Sequence, residues 1–166
     1  GNAPFTDPPP NIDYDFWCGP APWAPYSADR THWNWRWQMD YGGGQLMDWV
    51  GHHGDIAQWG LGTETTGAVE FNPIYAEFPQ TGIWDAATRY RIECTYASGV
   101  KLIVQNAEGQ HRMGAKWIGT DGWVWVDRGG FDTQPKSLMQ EKIGSDEINL
   151  YRSNNHIGNF IDCVIS

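Results

Sequence analysis

The sequence is short of charge. Asp, Glu, Lys and Arg together make up 19% of its 166 residues, below the roughly 25% of an ordinary soluble domain. Only 11 of them are basic, against 20 acidic, for a formal net charge of -9. Gripping a phosphate backbone requires clustered Lys and Arg, so a nucleic-acid partner is excluded. No run of 18 apolar residues exists, so no membrane-spanning helix is expected. The N-terminus Gly1-Asn2-Ala3-Pro4 carries no basic segment followed by an apolar core, the pattern of a signal peptide, and the compartment is left open. The three cysteines, Cys18, Cys94 and Cys163, stand far apart with no CxxC spacing, which excludes the common zinc and dithiol motifs. They are expected to be free, packed thiols.

What is abundant is tryptophan, 11 residues, and glycine, 20. So much apolar bulk excludes disorder, and the length suits one domain. Residues 1-30 hold seven of the ten prolines among Phe16, Trp17, Trp23 and Tyr26. Proline fixes φ and removes donors, so this segment is expected to be extended, without helix, and laid over a surface. Residues 31-166 are expected to form the α+β domain proper.

In Thr31 to Asp40, Trp33, Trp35 and Trp37 alternate with polar residues, the period of a strand. Such a row either packs a sheet core or stacks on sugar rings, with Asn34 and Arg36 placed for hydroxyls; Trp123 and Trp125 suit either use. Gly42-Gly43-Gly44 then breaks the chain, as a turn or an anion contact. Gln45 to Leu61 reads as a helix with Asp48, His52, Asp55 and Trp59 on one face. Gly51 and Gly54 lie inside it, each costing about 1 kcal/mol relative to Ala. Either the helix packs very closely there or a ligand approaches its backbone.

Asp48 and His52, four apart, form either an ordinary surface pair or an acid/base pair, since a carboxylate beside an imidazole orients the ring and raises its pKa. His52, His53 and Asp55 are poor metal candidates, because adjacent histidines point about 100° apart on a helix. From residue 68 the pattern turns to β. Tyr90, Ile92, Cys94 and Tyr96 alternate with Arg89, Arg91, Glu93 and Thr95, and further strands are expected over Val100 to Gln105, Arg112 to Gly119 and, after an Asp121-Gly122 hairpin, Trp123 to Asp127. Short turns between them make an antiparallel meander. Asn155 to Ser166 carries apolar residues at helical spacing. The expected fold is therefore α+β, a large, mostly antiparallel open sheet with helices on one face. No strand leads into GxGxxG and a helix, so no dinucleotide-binding unit is expected.

Three runs carry a resemblance: Asp13-Tyr14-Asp15-Phe16-Trp17-Cys18-Gly19-Pro20-Ala21-Pro22, His32-Trp33-Asn34-Trp35-Arg36-Trp37, and Tyr41 to Trp59 with its triple glycine and His52-His53. With Gly119 to Val124, Ser153 to His156 and Asn159 to Cys163, the chain resembles the C-terminal domain of the Gfo/Idh/MocA oxidoreductases, in the form found in Bacteroidetes-type bacteria. The resemblance implies a sheet like those of dihydrodipicolinate/glyceraldehyde-3-phosphate dehydrogenase-like C-terminal domains. It also implies a Rossmann domain elsewhere in the parent chain to bind NAD or NADP, a carbohydrate or polyol substrate, and a homo-oligomer formed through the open sheet. His52 would exchange a proton with a substrate hydroxyl during hydride transfer, and Asp48 would touch the substrate or orient His52. Asn34, Arg36, Trp35, His53 and Trp17 would line the substrate site.

The sequence departs from the family at Val50-Gly51, and Glu141-Lys142-Ile143 lacks the proline of the family's Glu-Lys-Pro motif. Together with an end inside the helical pattern at Ile165-Ser166, this makes an excised domain, inactive alone and without bound cofactor or metal, the expectation. The alternatives are an NAD-dependent glycosidase and a non-catalytic carbohydrate-binding module.

Overall fold

A computed structural model describes residues 1–106, 112–149 and 151–166. The proline-rich opening is not wholly extended. Between Pro10 and Pro20 the chain forms a one-turn helix, α1, Tyr14–Cys18, whose N-cap Asp13 accepts a hydrogen bond from the Phe16 N–H at 3.1 Å. This stretch contains no proline, a capping carboxylate starts it, and Gly19 at φ 57° ends it, so the helix is local chemistry that the proline count hid. Tyr14, Cys18 and Tyr26 make a buried cluster with Ile12 and Trp17 packed against it. Burial pushes the Tyr14 hydroxyl pKa up to about 12, with a Cys18 hydrogen bond adding to the shift. Phe5, Phe16 and Trp23 stay largely exposed, so the segment buries only part of its aromatic surface.

The expected tryptophan strand is a 3-10 helix, His32–Trp37. The Asn34 N–H donates to the Thr31 carbonyl and the Gln38 N–H to that of Trp35, both at 3.1 Å. Two buried polar residues flank the turn. Arg30 donates through its guanidinium to the Gln38 side chain, which in turn donates to the Arg30 carbonyl at 3.1 Å. That reciprocal pair satisfies buried groups a strand would have separated. With about three residues per turn, Trp33, Trp35 and Trp37 no longer share a face.

The expected helix follows as a three-part rod: α2, Gly44–Trp49, a π turn at Val50–Gly54, and α3, Asp55–Gly60. Its two ends are seated by glycines. Gly44, at φ +61°, sits where a Cβ would lie 2.7 Å from that of Ala86, and a Cβ on Gly60 would collide with the Trp117 ring. The rod is tied to strands by Asn106 Nδ2 donating to Gln45 Oε1 at 2.6 Å and the Tyr96 hydroxyl to Gln58 Oε1 at 2.5 Å.

The strands are antiparallel throughout. β1, Ala68–Glu77, β2, Arg89–Tyr96, and β3, Lys101–Gln105, form one meander. β4, Ala115–Ile118, β5, Trp123–Asp127, and β6, Gly130–Gln134, form the second. The α+β, antiparallel architecture is as expected, with the described strands divided between two three-stranded sheets. In β2 Tyr90, Cys94 and Tyr96 are buried, as the alternation predicts. β4 is shorter than the strand expected over Arg112 to Gly119. Trp125 is the buried anchor of the second sheet, its Nε1 donating to the Met113 carbonyl at 3.1 Å with Arg112 over the ring.

A short 3-10 turn, Lys136–Gln140, and α4, His156–Ile165, follow. Asn155 caps α4 by accepting from the Gly158 N–H at 2.9 Å, and Ile157, Phe160, Ile161 and Val164 on the helix are exposed. Cys18 and Cys94 are buried free thiols; Cys163, on α4, is exposed and departs from the expected packing. The accessible surface is 12445 Å² for 18.8 kDa, where a compact monomer of that mass has about 8,300 Å². Much apolar surface is uncovered.

Candidate functional site

Asp48, at the end of α2, does not pair with His52. Its carboxylate accepts from Arg36 Nη1 at 2.9 Å, and among the described residues no hydrogen bond or ion pair joins it to the imidazole. Arg36 lies 4.3 Å from the Trp33 ring centroid and 4.7 Å from that of Trp37. Two indoles and a carboxylate therefore occupy the guanidinium on three sides. The tryptophans do not present the flat wall that a strand would have made. Trp35 packs over Gly42, and Asn34 is half-buried in the 3-10 turn. Trp17 stacks with Tyr14 at 5.7 Å and tilts against Tyr41 at 4.8 Å, within the aromatic cluster of residues 12 to 41.

His52 and His53 are brought together on the π turn, both against Trp49, with ring centroids 5.8 and 5.2 Å from it. π turns inside α-helices occur frequently at functional sites, where the extra residue redirects side chains. The turn opens on a cleft of about 370 Å³ whose other wall is the end of β5, Val126, Asp127 and Arg128; Gly51, Asp55 and Ile56 complete it. Arg128 lies 5.4 Å from the Trp49 ring centroid. His53 is half-buried, and its pKa is lowered from 6.5 by that burial first, then by neighbouring His52 and Arg128, with Asp127 pulling the other way.

The interior glycines resolve into two kinds. A side chain on Gly54 would press into Val50 on the previous turn, and one on Gly60 into Trp117, whereas around Gly51 no atom lies within 4 Å of where a Cβ would stand. Close packing explains the first two, but not Gly51, which borders the cleft beside His52.

The match that decides the family spans almost the whole chain: residues 2–164 fit the model of the oxidoreductase family, C-terminal alpha/beta domain. The chain is a Gfo/Idh/MocA C-terminal domain. No curated protein and no solved structure matches it.

For a domain of this family, a nicotinamide dinucleotide is the implied group, and the described residues do not fit it. Among the described residues every strand pairing is antiparallel, while a pyrophosphate cradle needs a parallel βαβ unit with a glycine-rich turn at its helix. Nor do the described residues contain a group of three or more His, Cys, Asp or Glu able to hold a metal, and no helix among them is long and apolar enough to cross a membrane. Trp49, Asp127 and Arg128, which stand at this cleft, were not singled out in the sequence, whereas Gly51 was. Gly51 carried a signal, a costly glycine inside a helix, and Arg128 stood in a plain hairpin, Asp127 to Gly130, with nothing local to mark it.

Proposed function

We propose that this domain forms the substrate wall of an NAD(P)-dependent sugar or polyol oxidoreductase, with His52 exchanging a proton with a substrate hydroxyl. The observation that carries the proposal is the open position at Gly51. A glycine that costs helix stability and packs against nothing leaves room for a ligand beside an exposed imidazole. The histidines project from a π turn into a cleft large enough for a monosaccharide, with Asp55 available to accept hydroxyl hydrogen bonds. His53 is held toward its neutral form and shapes the wall beside Trp49.

Asp48 acts on Arg36 in this proposal, not directly on His52. It fixes the 3-10 turn that carries Trp33 and Trp37 against the start of the rod. The dinucleotide would come from a Rossmann domain of the parent protein. The uncovered apolar surface supports contact with that domain and with further copies, since obligate interfaces bury some 2,000–5,000 Å².

The test is His52→Asn in the full-length protein. Loss of a general acid/base lowers turnover by roughly 10²–10⁴-fold, with KM changing far less. Turnover unaltered by this substitution would remove His52 from the reaction.

A further inference from the structure

The cleft beside His52 holds a cation that a neutral sugar does not use. Arg128 is a full positive charge, and among the described residues it makes no hydrogen bond or ion pair; its guanidinium lies 5.4 Å from the Trp49 ring centroid. The carboxylate next to it, Asp127, is already engaged. Asp127 Oδ1 accepts the N–H groups of Gly129 at 2.6 Å and Gly130 at 3.0 Å, which close the hairpin between β5 and β6. His52 and His53 face the same cleft from the rod. Three groups that carry or can acquire positive charge thus converge on one indole, in a chain whose net charge is -9. Several other cations are ion-paired, Arg36 with Asp48, Arg89 with Glu77, Lys101 with Glu93, and Arg112 and Lys136 with Asp132, while Lys116, like Arg128, lies over a tryptophan ring, but outside this cleft.

Resting on the proposed substrate cleft, we infer that its ligand is a polyhydroxy acid, such as a hexuronate or aldonate, with its carboxylate on Arg128. Arg presents a planar fork of donors that matches a carboxylate with two parallel hydrogen bonds. An anion there offsets the mutual repulsion of Arg128 with the histidines, which contributes to keeping His53 neutral. Of the two acids in the cleft, Asp127 is held by the hairpin N–H groups, and Asp55, at the first turn of α3 and without a described hydrogen-bond partner, is the one free to bond a hydroxyl. It therefore takes the hydroxyl end, and the ligand lies with its carboxylate toward β5 and its hydroxyls toward α3 and His52. The charged groups facing the cleft are Asp55 from the rod and Asp127 and Arg128 from the second sheet, two acids to one base, so the preference for an acid rests on direct contact with the Arg128 fork and not on the net charge of the cleft.

The test is isothermal titration of the full-length protein, at fixed ionic strength and pH 7.5, with glucuronate, gluconate, glucose and glucitol. The acids are expected to bind at least tenfold more tightly than the neutral compounds, and Arg128→Gln to erase that preference by weakening the acids far more than the neutral compounds. Because Arg128 is exposed, this variant is expected to keep the wild-type melting temperature. Arg128→Lys, which keeps the charge but not the fork, is expected to restore part of the preference. Equal affinity for acids and neutral compounds, or a preference that survives Arg128→Gln, overturns the acid inference and leaves the substrate cleft standing. If neither class binds, the substrate cleft itself falls, and the inference with it.

Discussion

The two ends of the π turn make opposite use of similar residues. On the α2 side, Asp48 meets Arg36, Arg36 meets two indoles, and Gly44 lies under Ala86; each group has a partner from the same chain. On the cleft side, His52 is exposed, Arg128 lies over the Trp49 ring without a described ion pair, and Gly51 borders empty space. Within the α2-side cluster only the buried Arg36 Nε is left without a hydrogen-bond partner, and the ion pair and ring contacts make the cluster structural. A polar cluster whose members share a cleft without pairing is where a ligand completes the arrangement. The sequence pattern suggested the reverse for Asp48, because four-residue spacing on an α-helix put it beside His52.

The contrast is sharpest at the glycines. Gly60→Ala is expected to destabilise the domain by about 1–3 kcal/mol, since the added methyl must displace Trp117, and chemical denaturation measures it. A smaller effect of opposite sign is expected from Gly51→Ala, up to about 1 kcal/mol of added stability from helix propensity, together with weakened ligand binding. If Gly51→Ala destabilises as Gly60→Ala does, the distinction between packed and open glycines is wrong.

The ion pair gives the next smaller change. Asp48→Asn is expected to cost at most about 1 kcal/mol, the scale of a partly exposed salt bridge, and to leave the His52 ring resonances seen by NMR where they were. A large change in those resonances would reinstate Asp48 as the partner of His52. His53 adds a pH dependence whose sign follows from its lowered pKa. Between the ordinary value of 6.5 and the lower folded value the unfolded chain binds the proton and the native one does not, so stability falls as pH drops below 6.5 and levels off below the folded pKa. Above 6.5 there is no contribution. Denaturation midpoints of wild type and His53→Gln, compared at pH 8 and pH 5.5, are expected to show a smaller decline in the variant.

Much of the fold was legible because period and face coincide. β2 alternates with one buried and one wetter side, Asp121-Gly122 announces the β4–β5 hairpin, and α4 repeats its apolar residues at helical spacing. The tryptophan run misled because an alternation of two also occurs in a tight turn, where Trp33 and Trp37 close on Arg36 and Trp35 on Gly42. What decides between them is the Arg30–Gln38 pair, buried eight residues apart and invisible to a period count. α1 was hidden by the prolines around it. At the site, the interrupting glycines and paired histidines marked the rod, and the family resemblance gave them a chemistry. Arg128 escaped because its place against Trp49 depends on how the second sheet lies beside the helix, which no local pattern encodes.

The π turn also separates two properties that a plain helix would tie together. Removing one residue from Val50–Gly54 would restore an unbroken α-helical ladder, and because the wide turn absorbs its extra residue locally, the rod beyond it would keep nearly the same phase relative to α2. Gly60 would stay on Trp117, while the imidazoles, which stand on the turn itself, would leave the cleft. The single extra residue sets the aim of the histidines without resetting the docking of the rod. Deleting it is therefore expected to cost ligand binding and leave the fold in place.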